Sequence, residues 1–205
     1  MQLPHPITIA QGVRLWPQAL DQGQQSELLE VVLSAVAQAP FLQPTMPRTG
    51  TPFSVVQTNF GTLGWVSDRA GYRYQEHHPK TGRPWPSIPP ILLNLWRTAL
   101  PDAPDPHCCL VNLYRAGARM GLHQDRDETA LDVPVLSVSL GAEALFRLGG
   151  TSRKSPTSSL TLCSGDLLAF GGAARLAFHG IDRILPGSSQ LVPGGGRINL
   201  TLRRV

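Results

Sequence analysis

Residues 197–203 read Arg197-Ile198-Asn199-Leu200-Thr201-Leu202-Arg203. Polar and aliphatic side chains alternate without a break, and a period of two marks a β-strand whose two faces meet different surroundings. Arg197, Asn199, Thr201 and Arg203 share one face; Ile198, Leu200 and Leu202 share the other. Two readings fit this pattern. On an edge strand the polar row looks into solvent. Inside a barrel it looks into the interior, where a buried guanidinium requires an anionic partner, and two arginines in one row suit a dicarboxylate held by charge-assisted forks.

The chain upstream of this strand has the same texture back to about residue 107. Short apolar runs at 109–114, 134–140, 144–148, 159–163, 166–170 and 175–179 precede the run at 198–203. They are separated by Gly117, Gly121, Gly141, Gly149-Gly150, Ser164-Gly165, Gly171-Gly172 and Gly194-Gly195-Gly196. Strands at that spacing predict a sandwich or jelly roll. A helix is expected over 21–38, with Leu28, Leu29, Val32 and Val36 at helical spacing, Asp21 or Ser26 as cap, and Pro40 beyond its end. A second helix should follow Pro89-Pro90 and carry Ile91, Leu92, Leu95 and Trp96 on one face. Residues 41–87, rich in Pro, Gly, Thr and aromatics, read as irregular, and a stretch of that length is often a functional cover.

The length of 205 residues fits one domain, 1–205. The hydrophobic share of 41% is ordinary, whereas 20 Gly and 19 Pro favour turns over long helices. A formal charge of +4 is mildly basic and compatible with a polyanionic partner, though many basic proteins have none. Three cysteines, two of them adjacent (Cys108 and Cys109, with Cys163), make no disulfide framework or zinc site. The N-terminus lacks the basic start and apolar run of a signal peptide, and no apolar stretch reaches the roughly 20 residues of a membrane span. A cytoplasmic, monomeric protein without a membrane partner is the expectation.

Two constellations carry chemistry. The first is His123-Gln124-Asp125, with His179 downstream. Residues two apart on a strand project to one face, so His123 and Asp125 can reach the same ion. Two imidazoles and a carboxylate on one side of Fe(II) leave the other positions open for cosubstrate and oxygen. A lone His-x-Asp is nevertheless a common surface pattern, and a histidine at a strand end is more often structural. His5, His77, His78 and His107 sit in Pro-rich or polar loops. The second constellation joins the arginine row to Leu110-Val111-Asn112-Leu113-Tyr114, in which Asn112 and Tyr114 share a face.

Taken in order, Asn112-x-Tyr114, His123-x-Asp125-x-Asp127, Ser137-Val138-Ser139-Leu140-Gly141, His179-Gly180-Ile181 and Arg197-x-Asn199-x-Thr201-x-Arg203 resemble the AlkB family of DNA repair dioxygenases. Thr58-Asn59-Phe60-Gly61-Thr62-Leu63-Gly64-Trp65 and Gly71-Tyr72-Arg73-Tyr74 extend the likeness, which runs from about residue 40 to 203. The resemblance implies a mainly β, α+β chain: a double-stranded β-helix (jelly roll) over about 107–205, with a nucleotide-recognition lid over about 41–87. It implies iron on His123, Asp125 and His179, and 2-oxoglutarate on Arg197 with Asn112, Tyr114, Asn199 and Arg203. Trp65, Tyr72, Arg73, Tyr74, Asp127 and Arg153 match positions that contact the substrate nucleotide.

The implied reaction uses Fe(II), 2-oxoglutarate and O2 to hydroxylate a methyl group on 1-methyladenine or 3-methylcytosine, with succinate, carbon dioxide and formaldehyde as products. The partner would be alkylated DNA, single- or double-stranded, with RNA as a second polymer. Two other readings compete. A 2-oxoglutarate hydroxylase of a protein or small molecule shares the triad and arginine but has no use for stacking aromatics. A non-catalytic nucleic-acid module would leave buried His and Asp poorly satisfied.

Overall fold

The structure is a computed structural model and describes residues 2–205. Its elements run β1 (Ile7–Ala10), β2 (Val13–Trp16), α1 (Gln22–Gln38), β3 (Val56–Gly61), β4 (Gly64–Asp68), β5 (Gly71–Gln75), α2 (Pro90–Ala99), β6 (Cys108–Tyr114), β7 (Met120–His123), β8 (Val135–Gly141), β9 (Ala144–Leu148), β10 (Ser158–Leu162), β11 (Leu167–Phe170), a single 3-10 turn (Gly172–Ala174), β12 (His179–Ile184) and β13 (Arg197–Arg203). A seven-stranded sheet has the order β1-β2-β11-β8-β13-β6-β3, and a four-stranded sheet the order β10-β9-β12-β7. All their pairings are antiparallel. The pair β4-β5 forms a separate hairpin.

The alternation in β13 is what separates the layers. Ile198, Leu200 and Leu202 join Val111, Leu113, Leu136, Val138 and Leu140 in a buried cluster completed by Leu28, Leu29 and Val32 of α1 and by Leu92, Leu95 and Trp96 of α2. Both helices therefore cover the outer face of the large sheet. A second cluster, with Val13, Leu15, Phe146, Leu148, Leu162, Leu168, Phe170, Ile181 and Ile184, fills one end of the space between the sheets. The polar row of β13 faces that same interior, so the barrel reading of residues 197–203 is the right one: Arg197 is fully buried.

Helix α1 starts where a capping box closes. The Asp21 carboxylate accepts from the Gln24 N–H at 2.9 Å, and the Gln24 side-chain carbonyl accepts from the Asp21 N–H at 3.0 Å. Asp21 is thus the cap and Ser26 lies inside the helix. Helix α2 opens with Pro90 in its first turn, where a missing N–H costs nothing.

Three expectations change. Residues 41–87 are not irregular throughout: β3 is the outermost strand of the large sheet, paired to β6 from Val56↔Leu113 to Gly61↔Cys108, and β4-β5 is a regular hairpin. Strands β1, β2 and β7 have four residues each, too short for their alternation to stand out in the sequence. The run 175–179 is not a strand ending at His179. Bonds from Arg175 N–H to Gly172 O (3.1 Å) and from Ala177 N–H to Ala174 O (2.9 Å) coil it, and His179 begins β12. The reason is Arg175, which is buried and has its guanidinium committed to acceptors away from the sheet.

Candidate active site

His123 ends β7 and His179 begins β12, and the two are directly paired across the antiparallel ladder. That pairing puts their ring centroids 4.5 Å apart. Gly180 makes the approach possible, since a Cβ there would stand 2.5 Å from the Met120 carbonyl oxygen on β7. Asp125 lies beyond the end of β7, in the following loop, so strand alternation alone does not deliver it. Its carboxylate is 3.7 Å from His123 Nε2 and 3.8 Å from His179 Nε2. One ligand atom from each residue falls within 4.8 Å of the others.

The hydrogen bonding of both rings suits a metal. His123 Nδ1 faces the Gly121 carbonyl at 2.9 Å and His179 Nδ1 faces the Ala177 carbonyl at 3.0 Å. A carbonyl can only accept, so each Nδ1 carries the proton and each Nε2 turns a lone pair toward the shared point. Burial, followed by the proximity of His123, pushes the His179 pKa down to about 4 and keeps that ring neutral. Burial opposes ionisation of Asp125, but Arg203 above all, with both histidines and Arg175, holds its carboxyl below the usual range. Two imidazoles that turn Nε2 to one point, with an ionised carboxylate, are a donor set for a divalent borderline ion.

The polar row of β13 supplies the second subsite. Arg197 Nη2 donates to Ser139 Oγ at 2.7 Å, while Nε and Nη1 are buried without a partner. Orphaned guanidinium donors in a dry site fit an anionic ligand such as a carboxylate. Burial lowers the Arg197 pKa to about 10, which still leaves it a cation at neutral pH. Asn199 lies between Asn112 and Ser139 in register. Its Nδ2 donates to Ser137 Oγ at 2.6 Å, and Gln57 Nε2 donates to Asn112 Oδ1 at 2.6 Å. Burial raises the Tyr114 pKa to about 12, so its hydroxyl stays protonated.

Both subsites open on one cavity of about 600 Å3. Trp65, Tyr72, Asp127 and Arg153 also line it. Trp65 and Tyr72 stack at 5.6 Å with an 18° interplanar angle, and Tyr72 is 45% exposed, so these rings stand at the mouth. Trp65 Nε1 donates to Asp127 Oδ2 at 2.9 Å. Arg153 lies over the Phe178 ring at 5.5 Å.

Two of the expected residues stand outside the cavity, and a third is largely engaged by its neighbours. Arg73 is paired with Asp68 at 2.9 Å on the β4-β5 hairpin and does not line the cavity. Tyr74 does not line it either; its hydroxyl bonds to Glu128. Arg203 lines the cavity with Nη2 on Asp125 Oδ1 at 2.9 Å and Nη1 on Glu128 at 3.4 Å, and its Nε is buried without a partner. His78, expected in a polar loop, is fully buried; its ring bonds the Pro40 carbonyl and accepts from the Lys80 and Thr81 N–H groups. Sequence reasoning missed Gln57, Ser137, Ser139, Glu128 and Arg175. The one available signal was Arg175, a charge inside the otherwise apolar run before His179.

The sequence matches the profile of the 2OG-Fe(II) oxygenase superfamily over residues 12–203. It is 59% identical over 201 residues to an alpha-ketoglutarate-dependent dioxygenase AlkB homolog of Caulobacter vibrioides, covering 97% of this chain and 90% of the relative. It is 41% identical over 182 residues to the alpha-ketoglutarate-dependent dioxygenase AlkB of Escherichia coli K12, covering 87% and 83%. The solved structure of OsALKBH1 superposes with a TM-score of 0.85 at 29% identity, covering 98% of this chain and all of that one. A jelly roll that turns two histidines, a carboxylate and an arginine with two orphaned donors into one cavity, matched along nearly its whole length to these relatives, is an Fe(II)- and 2-oxoglutarate-dependent dioxygenase, and the chain belongs to the AlkB family.

Proposed function

We propose that this enzyme removes methyl groups from the ring nitrogens of alkylated nucleic-acid bases, with 1-methyladenine and 3-methylcytosine in DNA as preferred substrates and RNA as a second polymer. One observation carries the reading: the metal triad, the orphaned Arg197 and the Trp65/Tyr72 rings with Asp127 line a single cavity. Its volume of about 600 Å3 lies in the range of ligand pockets that take a cofactor or drug-sized molecule.

His123, Asp125 and His179 would hold Fe(II) through Nε2, a carboxylate oxygen and Nε2. Arg197 would fork the distal carboxylate of 2-oxoglutarate, with Asn112, Tyr114, Asn199 and Arg203 lining the same cavity. When bound, iron and 2-oxoglutarate activate oxygen and supply the oxidising chemistry. The chain's own part is placement. Trp65 and Tyr72 offer aromatic faces to an extruded base, and stacking of this kind is worth roughly 1–3 kcal/mol per base. Alkylation at N1 of adenine or N3 of cytosine makes the base cationic. Aromatic faces attract a cation, and the carboxylate of Asp127 beside Trp65 adds Coulomb attraction that grows as water is excluded. Hydroxylation of the methyl carbon gives a hemiaminal, which releases formaldehyde and the restored base. A blocked base is also cheaper to unstack than a paired one.

Residues 41–87, apart from β3, form the nucleotide-recognition lid, and 107–205 the catalytic core. Among the described residues, no helix is long and apolar enough to cross a membrane. A cytoplasmic monomer remains our reading, its compartment supported by the three free thiols.

The test is mass spectrometry of oligonucleotides carrying 1-methyladenine, 3-methylcytosine, 1-methylguanine or 3-methylthymine, in DNA and RNA, with Fe(II), 2-oxoglutarate and oxygen. Asp127→Asn keeps an acceptor for Trp65 and removes the charge. It should lower activity on the two cationic lesions far more than on the two neutral ones. An equal loss on all four would assign Asp127 to support of the Trp65 ring alone. No demethylation of any lesion by the wild type would remove the reading.

A further inference from the structure

The metal triad draws its members from distant parts of the chain: His123 and Asp125 lie more than fifty residues before His179. The pairing of β7 with β12 fixes the two histidines, but Asp125 sits past the end of β7 and no ladder bond positions it. Something else must set its distance from His179. Arg175 is the side chain that spans this gap. Its backbone follows the single 3-10 turn and lies four residues before His179. Its side chain is almost wholly buried, and its guanidinium reaches three separate acceptors. Nη1 donates to the Asp125 carbonyl at 2.6 Å, Nη2 to Glu128 Oε2 at 3.1 Å, and Nε to the Val133 carbonyl at 2.9 Å.

Glu128 extends the arrangement. Its carboxylate is wholly buried, and its other oxygen meets Arg203 Nη1 at 3.4 Å and the Tyr74 hydroxyl. Arg203 in turn holds Asp125 Oδ1 at 2.9 Å. Asp125 is thus gripped twice: Arg175 fixes its main chain, and Arg203, itself held by Glu128, fixes the rotation of its carboxylate. Gln124 adds a parallel tie, donating Nε2 to the Leu176 carbonyl at 2.7 Å. Each tie joins the segment before His179, or the β13 face, to the loop that carries Asp125.

We propose that Arg175 and Glu128 are positioning residues for the metal site, which hold Asp125 at ligand distance from His179 through the chain Arg175–Glu128–Arg203. This rests on the reading of His123, Asp125 and His179 as the iron ligands. Arg175 lies outside the cavity lining and Glu128 at its wall, and neither contributes a ligand atom to the triad; both act on Asp125. Arg203 belongs to this device through Nη1 and Nη2, while its Nε, buried and without a partner, stays free for a ligand in the cavity. An arginine is required because three acceptors in different directions match the planar fork, whereas a lysine offers a single point of charge.

The experiment measures Co(II) binding to the metal-free full chain, by titration and by the visible absorption of the bound ion, in wild type, Arg175→Lys, Arg175→Ala and Glu128→Gln. Partners that orient metal ligands typically contribute 10–100-fold in affinity. Each variant should weaken Co(II) binding by that factor and change the absorption envelope. Val32→Ala, a cavity in the outer core far from the site, serves as a control; it should lower thermal stability and leave Co(II) affinity unchanged. His179→Ala is run alongside and should abolish binding. Wild-type affinity and spectrum in Arg175→Lys and Glu128→Gln, with binding lost in His179→Ala, would overturn the positioning role and leave the metal site standing. Wild-type binding by His179→Ala would overturn the metal site itself. Should Arg175→Ala fail to fold, the two conservative variants decide.

Discussion

Replacing Arg197 by methionine should move ligand affinity and fold stability in different directions. Arg197 is fully buried and has a bond to Ser139 Oγ, while Nε and Nη1 have no partner. A buried donor left unsatisfied costs about 1–3 kcal/mol, so the ligand-free protein carries a penalty at this position that the apolar side chain removes. Loss of the Ser139 bond offsets part of the gain. Arg197→Met should therefore unfold at a temperature no lower than the wild type. Affinity for 2-oxoglutarate behaves oppositely. Removing one partner of a buried charge pair costs about 3–5 kcal/mol, and 1.4 kcal/mol is a factor of ten. The dissociation constant should rise roughly a hundredfold to a few thousandfold. The assay is thermal unfolding under nitrogen, with Mn(II) and increasing 2-oxoglutarate. Ligand at 100 times its dissociation constant stabilises by about 2.7 kcal/mol, which for a chain of this size is about 5–10 °C. The wild type should show that shift and Arg197→Met should not. Affinity within tenfold of wild type, or a ligand-free variant that melts well below it, would refute the assignment of Arg197 as a ligand held ready in a strained site.

Three further outcomes are expected. His179 titrates at about 4 in the fold against 6.5 for a free imidazole, so the unfolded chain takes up its proton first. Stability present above about pH 6.5 should be lost as pH falls toward 4; His179→Gln should flatten that window in urea titrations, while the loss due to Asp125 comes at more acid pH. A Cβ at Gly64 would stand 2.3 Å from Cε2 of Trp85, whose Nε1 is bound to the Gln75 carbonyl at 2.9 Å. Gly64→Ala should therefore displace the β4-β5 hairpin, weakening oligonucleotide binding in fluorescence anisotropy while the 2-oxoglutarate shift in melting temperature stays at its wild-type value. Oligonucleotide affinity should also fall with salt, but along a shallow slope, because a net charge of +4 supports few phosphate contacts; a steep slope would require a concentrated basic track.

What the sequence made legible was periodic. Arg197 to Arg203 alternate so cleanly that the strand and its two faces follow from spacing, whereas the burial of the polar row, which an edge strand would have exposed, is settled only by the sheet around it. Helix α1 was legible through Leu28, Leu29 and Val32, but its cap was narrowed only to Asp21 or Ser26, and the reciprocal bonds with Gln24 decide for Asp21. Strand β7 was not, since four residues including Gly121 and His123 show no alternation that could be told from a loop. The run before His179 misled for a physical reason: Leu176, Ala177 and Phe178 look like strand, but Arg175 ties the backbone into turns by bonds to residues more than forty positions away. Glu128 carries no local signal of its role, because its three partners come from β5, β13 and the segment before β12. Charge pairing at such separations has no local signature, whereas metal ligands and arginine rows declare themselves by residue type.

Strand β7 sits at the edge of the four-stranded sheet and meets β12 only at His123↔His179 and Met120↔Ile181, with a bulge between. A ladder of two rungs holds its backbone protons weakly, and local opening of such a strand requires far less free energy than global unfolding. Amide exchange at residues 120–123 should accordingly run ahead of exchange in β13, whose bonds are shared with strands on both sides. An ion gripped by His123 and His179 would rivet the loose strand to its neighbour across a seam of only two rungs. Deuterium uptake along β7 thus becomes a gauge of site occupancy that needs neither substrate nor oxygen.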